Sequence, residues 1–151
     1  MGSFEPKDPD FRARVAASFG RQTVMQTLGI EIARLAPGEI ELTMPFGQPF
    51  TQQHGFMHAG IITTALDSAC GYAAFSLMPA EAAILTVEFK TNLLGPAKGE
   101  RFVFQAQVIK PGRTLTICDA RAFAIEASHH RLIATMTGTL MAVFDRAGVS
   151  G

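Results

Sequence analysis

The apolar residues between Phe11 and Leu28 fall at Phe11, Val15, Phe19, Val24, Met25 and Leu28, close to one face of a 3.6-residue repeat, and Gly29 follows as a stop. This predicts an N-terminal helix. The period then changes. "IEIARLA" and "IELTMPF" alternate on either side of "PGE", which predicts a β-hairpin. "GQPFTQQHGF" has Gly47, Pro49 and Gly55 as breakers and reads as a loop. From His58 to Leu77 the chain is almost uniformly apolar up to the closing Met78–Pro79, the pattern of a buried helix. Its Ile61–Leu77 part contains Thr63, Thr64, Asp67 and Ser68, and is short and polar for a membrane span of about 20 apolar residues.

Everything after that helix alternates with period two. "AAILTVEFKTNLL", "RFVFQAQVIK", "TLTICDARAFAIE" and "LIATMTGTLMAVF" are four strands, separated by "GPAKGE", "PGR" and "ASHHR", which read as exposed turns. The order is helix, two strands, one long apolar helix, then four strands. That order indicates an α+β domain spanning residues 1–151, with an antiparallel sheet wrapped around one central helix. An edge strand of such a sheet is left to pair with a second subunit.

Composition narrows the class. The 151 residues are 48% hydrophobic and 17% charged, with 13 basic and 13 acidic side chains. A balanced charge gives no electrostatic case for binding nucleic acid or an anionic membrane. The low charged fraction indicates surface covered by another subunit. Cys70 and Cys118 are far apart and form no CxxC pair, so neither a disulfide framework nor a zinc knuckle is expected. "MGSFEPKDPDFRARV" lacks the apolar run of a signal peptide, and a reduced, cytoplasmic setting follows as the expectation.

The chain has no GxSxG, GxxxxGK[ST], GxGxxG or HExxH motif and no EF-hand loop. His54 and His58 have a metal-like spacing, but Gly55 and the loop before it argue against one continuous helix there. No metal is expected. Asp67 stands apart, because burying a carboxylate in so apolar a segment is costly and no Lys or Arg lies at helical spacing to pair with it. Either it is an interface acid hydrogen-bonded to Thr63, Thr64 or Ser68, or it is a base or nucleophile poised by desolvation. The helix start, "HGFMHAG", offers free backbone N–H groups at Ala59 and Gly60, together with the positive dipole end. Such an N–H can hold an oxyanion. Ala59 and Asp67 are eight residues apart, about 12 Å along a helix, so one reacting carbonyl cannot touch both groups of one helix. If both serve one reaction, Ala59 of one subunit meets Asp67 of another across a dimer.

The run Gln52-Gln53-His54-Gly55-Phe56-Met57-His58-Ala59-Gly60, with Asp67 eight residues past Ala59, resembles the motif of hotdog-fold acyl-CoA thioesterases. The resemblance is strongest to the phenylacetyl-CoA-type branch of the 4-hydroxybenzoyl-CoA thioesterase superfamily. It implies a hotdog fold and hydrolysis of acyl-CoA by a homodimer, as part of a dimer-of-dimers tetramer, without a cofactor, coenzyme A being part of the substrate. It implies that the Ala59 N–H polarises the thioester carbonyl and that Asp67 of the partner acts as base or nucleophile. By the same resemblance, Gln52 orients the water or the thioester, and Thr86 helps to position the acid or the water. Gly55, His58 and Gly60 belong to the substrate-binding turn, and Lys110 and Arg113 of "KPGRT" meet the phosphates of coenzyme A. Ala59 stands where the motif has Gly, and Gln52 where it has Asn. Phe50, Phe56, Met57, Tyr72 and Phe75 are candidates for an acyl pocket or for core packing. The same fold also hosts dehydratases and hydratases of hydroxyacyl thioesters, whose HFP-type and D-x4-H patterns are missing, and non-catalytic acyl-CoA-binding proteins.

Overall fold

The computed structural model describes residues 3–151. The first two residues of the stretch read as lacking a signal peptide lie outside it. The elements are α1 (Phe11–Arg21), α2 (Thr23–Leu28), β1 (Glu31–Ala36), β2 (Glu39–Pro45), a short 3-10 turn (Gln48–Phe50), α3 (Ala59–Phe75), β3 (Ala83–Leu93), β4 (Arg101–Lys110), β5 (Leu115–Glu126) and β6 (His129–Val143). The six strands form one sheet in the order β1-β2-β4-β5-β6-β3, every neighbouring pair antiparallel. The sheet curls around α3, and the expected hotdog arrangement is the one found. No helix among the described residues is long and apolar enough to cross a membrane.

Alternation explains the core. Phe102, Phe104, Ala106 and Val108 of β4, and Cys118, Ala120, Ala122 and Ala124 of β5, turn inward onto α3 and are buried. The helix answers with small residues, Ala65, Ala69, Ala73 and Ala74, which let the sheet approach closely, and with Ile62, Leu66 and Phe75 as fillers. Arg14 of α1 fixes the far end of α3. Its guanidinium donates to the carbonyls of Phe75, Met78 and Pro79 at 3.1, 2.7 and 3.1 Å, pairs with Asp8 at 2.8 Å and lies over the Phe75 ring. These carbonyls lie at and just beyond the end of α3, where the regular helical hydrogen bonds have stopped. Gly38 (φ +75) sits in the β1–β2 turn with its N–H on Ser76 Oγ at 2.8 Å, and a Cβ there would lie 2.8 Å from the Phe4 ring.

Three boundaries differ from the sequence reading. The N-terminal helix is two helices, broken at Gln22, whose extended backbone (φ −82, ψ 91) ends α1 and caps α2. Val24, expected to face the core, is exposed as a result. Helix α3 begins at Ala59 with His58 as its N-cap, and ends at Phe75 rather than Leu77. Strand β6 begins at His129, so "ASHHR" is not a long exposed turn. His129 and His130 pair with Glu126 and Ile125, and the turn is only Ala127–Ser128, with Ala127 at φ 52.

Strand β3 is an edge strand and carries a register irregularity between Thr86 and Glu88. Thr86 pairs with the buried Leu140, and Phe89 with Gly138, which approaches Cys70 of α3. Both therefore face the helix side of the sheet. Phe89 is nonetheless 46% exposed and neighbouring Val87 54%, because nothing among the described residues covers this edge.

Candidate active site

The loop after β2 leads into α3 through a small framework of backbone bonds. Thr51 and Met57 form an isolated bridge, Gln52 N–H donates to the Phe56 carbonyl at 2.8 Å, and His58 N–H to the Phe50 carbonyl at 2.9 Å. The left-handed turn inside it needs a residue at φ +83, supplied by Gly55. Gln52 Oε1 accepts from the His54 N–H, which leaves its Nε2 as a free donor. His58 caps the helix through Nδ1, which accepts the Gly60 N–H at 2.9 Å. A Cβ on residue 60 would crowd that ring nitrogen at 3.1 Å, so the cap favours glycine there.

His58 therefore occupies the Gly60 donor and leaves the Ala59 N–H, at the first helical position, without a partner among the described residues. Ala59 lines an apolar cavity of about 150 Å³ together with Gln52, Phe56, Met57, Ile62, Leu93 and Ile133, among others. The turn expected to bind substrate is thus assembled at one end of α3, with a hydrogen-bond donor at the helix's positive pole.

Asp67 lies two turns further along α3, on a different cavity of about 150 Å³, lined by Ser18, Gln22, Ser68, Gly71, Tyr72 and Thr86, among others. The hydroxyl of Thr86 donates to Asp67 Oδ1 at 2.8 Å. Of the three helix hydroxyls considered as partners, Thr64 Oγ1 donates to the Gly60 carbonyl and Ser68 Oγ to Gln22 Oε1, and Thr63 makes no hydrogen bond to Asp67 either. Burial pushes the Asp67 carboxyl above its usual 3.8, and the Thr86 hydrogen bond pulls it partly back. The result is a half-dry carboxylate held by one donor and with no cationic neighbour, more basic than a surface Asp.

Ala59 and Asp67 do not share a cavity. Lys110 and Arg113 lie with neither. Arg113 borders a small recess formed by Ala74, Leu77, Met78 and Pro79, at the opposite end of α3 from Ala59, and Lys110 closes β4 beside it. Of the aromatic candidates, Phe56 lines the Ala59 cavity and Tyr72 the Asp67 cavity, whereas Phe75 belongs to the core. Sequence reasoning missed Gln22 and Ser18, because nothing in helical spacing says that α1 breaks over Asp67. Buried Cys118 has its thiol pushed up to about 12 and Cys70 is likewise raised by burial, so neither supplies a thiolate nucleophile. Among the described residues no three His, Cys, Asp or Glu side chains converge as a metal site. His54 and His58 lie in the loop and at the cap, not on one helix face.

Comparison with known proteins bears on the family and the fold. A family model described as the thioesterase superfamily matches residues 54–127, which include the end of the loop from His54 to His58, α3 and Thr86. A solved thioesterase family protein from Silicibacter pomeroyi is 61% identical, with a TM-score of 0.88, over 89% of this chain and 98% of that one. A Saccharolobus solfataricus protein named "putative esterase" is 30% identical over 103 residues, 68% of each chain. The E. coli PaaI protein, from the phenylacetic acid degradation operon, shares the fold with a TM-score of 0.79 at 19% identity, over 95% of this chain and 98% of that one. The chain belongs to the thioesterase superfamily, a family of thioester hydrolases.

Proposed function

We propose that the protein hydrolyses acyl-CoA or aryl-acyl-CoA thioesters to the free acid and coenzyme A, at sites that each combine Ala59 of one subunit with Asp67 of its partner. The observation that carries this reading is the separation of the two groups into two cavities along one helix. Eight residues of α3 correspond to about 12 Å, too far for one thioester to contact both on the same chain. A two-fold axis that sets two α3 helices antiparallel brings each Ala59 toward the other Asp67 and makes two equivalent sites. The uncovered edge of β3, with the inward-facing Phe89, supports pairing of a second copy along that strand.

In each site the thioester carbonyl oxygen accepts the Ala59 N–H, and the Gln52 Nε2 group orients the thioester or the water. Asp67, held by Thr86, removes a proton from water as its oxygen bonds to the carbonyl carbon. The tetrahedral intermediate collapses with cleavage of the C–S bond, and the coenzyme A sulfur leaves as thiolate and takes up a proton. Direct attack by Asp67, giving a mixed anhydride that water then opens, uses the same groups. Gly55, His58 and Gly60 shape the turn against which the thioester lies. Lys110 and Arg113 offer cationic contacts for the phosphates of coenzyme A, and a dimer of dimers would bring further copies of these basic turns together. The reaction needs no resident cofactor or metal.

The test is thiol release from a panel of acyl-CoAs that includes phenylacetyl-CoA, run on wild type and Asp67→Ala. A loss of at least about 100-fold is expected for a general base. Full activity in Asp67→Ala would refute the role given to this carboxylate. Binding of acyl-CoA without any turnover would favour a non-catalytic binding protein.

A further inference from the structure

The cavity beside Asp67 holds more hydrogen-bonding groups than hydrolysis requires. Gln22 reaches it because α1 breaks at this residue. Its Oε1 accepts from Ser68 Oγ at 2.9 Å, on the residue next to Asp67, which fixes which way round the carboxamide lies. Its Nε2, a double donor, has no partner among the described residues. Across the cavity the hydroxyls of Ser18 and Tyr72 are 3.3 Å apart, and that one shared hydrogen bond leaves acceptor capacity on both. Gly71 leaves the space open, since a Cβ there would meet nothing within 4 Å.

A plain alkyl chain entering this cavity would strip water from Gln22 Nε2 and from the Ser18–Tyr72 pair and give no hydrogen bond in return. Leaving such groups unpaired costs about 1–3 kcal/mol each. An oxygen on the acyl group removes that penalty. The size of the space points the same way, because a cavity of about 150 Å³ is filled by a group about as large as benzene.

We propose that this cavity is the acyl subsite, and that Gln22 is a specificity-determining residue selecting compact acyl groups that carry a hydrogen-bond-accepting oxygen, such as a keto group, over plain alkyl chains. The proposal rests on the thioesterase reading above and adds to it the substrate class. Gln22 Nε2 donates to the acyl oxygen, Ser68 holds Gln22 in that orientation, and the Ser18–Tyr72 pair receives any hydroxyl hydrogen the acyl group offers.

The experiment compares kcat/KM for levulinyl-CoA and pentanoyl-CoA, which differ by a keto oxygen in place of two hydrogens. Wild type is expected to favour levulinyl-CoA by at least about tenfold, the scale set by one buried donor left unpaired. In Gln22→Met the ratio is expected to fall toward one. Gln22→Glu retains an oxygen for Ser68 and replaces the donor by a second acceptor, so its ratio should fall to one or invert. A wild-type ratio near one overturns the proposal with no variant needed, and so does a preference that survives both substitutions. Turnover without discrimination thus refutes the substrate class and leaves hydrolysis standing, whereas no turnover of any thioester refutes hydrolysis and this proposal together.

Discussion

Replacing Ala59 by proline isolates a single atom pair. Ala59 is the first residue of α3, follows an extended His58 (φ −60, ψ 139), and has an N–H that no group among the described residues accepts. Proline is favoured at this helical position, its ring needs the φ a helix already has, and an extended preceding residue suits it. The fold therefore loses no hydrogen bond, and fixing one backbone dihedral is expected to stabilise it by about 0.4–1 kcal/mol. What disappears is the donor proposed to hold the thioester oxygen. Removing one oxyanion donor lowers kcat by about 10²–10³, or about 2.7–4 kcal/mol of transition-state stabilisation. Stability and activity thus move in opposite directions, a combination that damage to the fold cannot produce. The assay pairs a thermal melt with thiol release on the best acyl-CoA, and Ala59→Gly, which keeps the N–H, serves as the control. An Ala59→Pro enzyme within tenfold of wild type, while Ala59→Gly behaves normally, would refute the oxyanion role of this N–H.

Three further outcomes follow from the geometry around α3. Thr86→Val removes the hydrogen bond that lowers the Asp67 carboxyl, so the acid limb of the kcat/KM–pH profile should move to higher pH; an unmoved limb would mean that Asp67 is not the group titrating there. Because the Asp67 carboxyl is raised above 3.8 in the fold, the unfolded chain releases this proton first, and ionisation costs stability as pH rises from the unfolded value through the folded one. Asp67→Asn should therefore melt higher than wild type at neutral pH, with the difference closing below about pH 4, and an equal or lower melting temperature at pH 7 would contradict the desolvation argument. Arg14→Ala leaves the Phe75, Met78 and Pro79 carbonyls and Asp8 without their shared partner and should cost at least about 2 kcal/mol in denaturant unfolding, with Arg14→Lys intermediate; a loss under about 0.5 kcal/mol would show that this clamp contributes little.

The sequence showed its elements wherever period and punctuation agreed. The alternation of Phe102, Phe104, Ala106 and Val108 could only be a strand with one buried face, and the run closed by Met78–Pro79 could only be a buried helix. Asp67 was legible as an anomaly because nothing at helical spacing could neutralise it. Its partner Thr86 was legible only through the family resemblance and not from spacing. Thr86 lies 19 residues away, on an edge strand whose irregularity at Thr86/Glu88 is set by pairing with β6 rather than by local sequence. The break at Gln22 was hidden because Val24, Met25 and Leu28 continue the apolar spacing across it, so that Gly20, two residues earlier, did not read as a stop. The two-residue turn at Ala127–Ser128 was hidden for a related reason, since Ala127 takes a positive φ usually left to Gly or Asn. Both are places where tertiary pairing overrides local preference.

The central claim is that each site draws Ala59 from one subunit and Asp67 from the other, and mixing two inactive proteins tests it most directly. Ala59→Pro and Asp67→Asn subunits, each weakly active alone, are denatured together in equal amounts and refolded. With random pairing about half of the dimers are mixed, and each mixed dimer has one site carrying both defects and one carrying neither, so about a quarter of wild-type activity should return. If the mixture shows no more than the mean of its two inactive components, each site is built within a single chain, and the shared-site account is wrong.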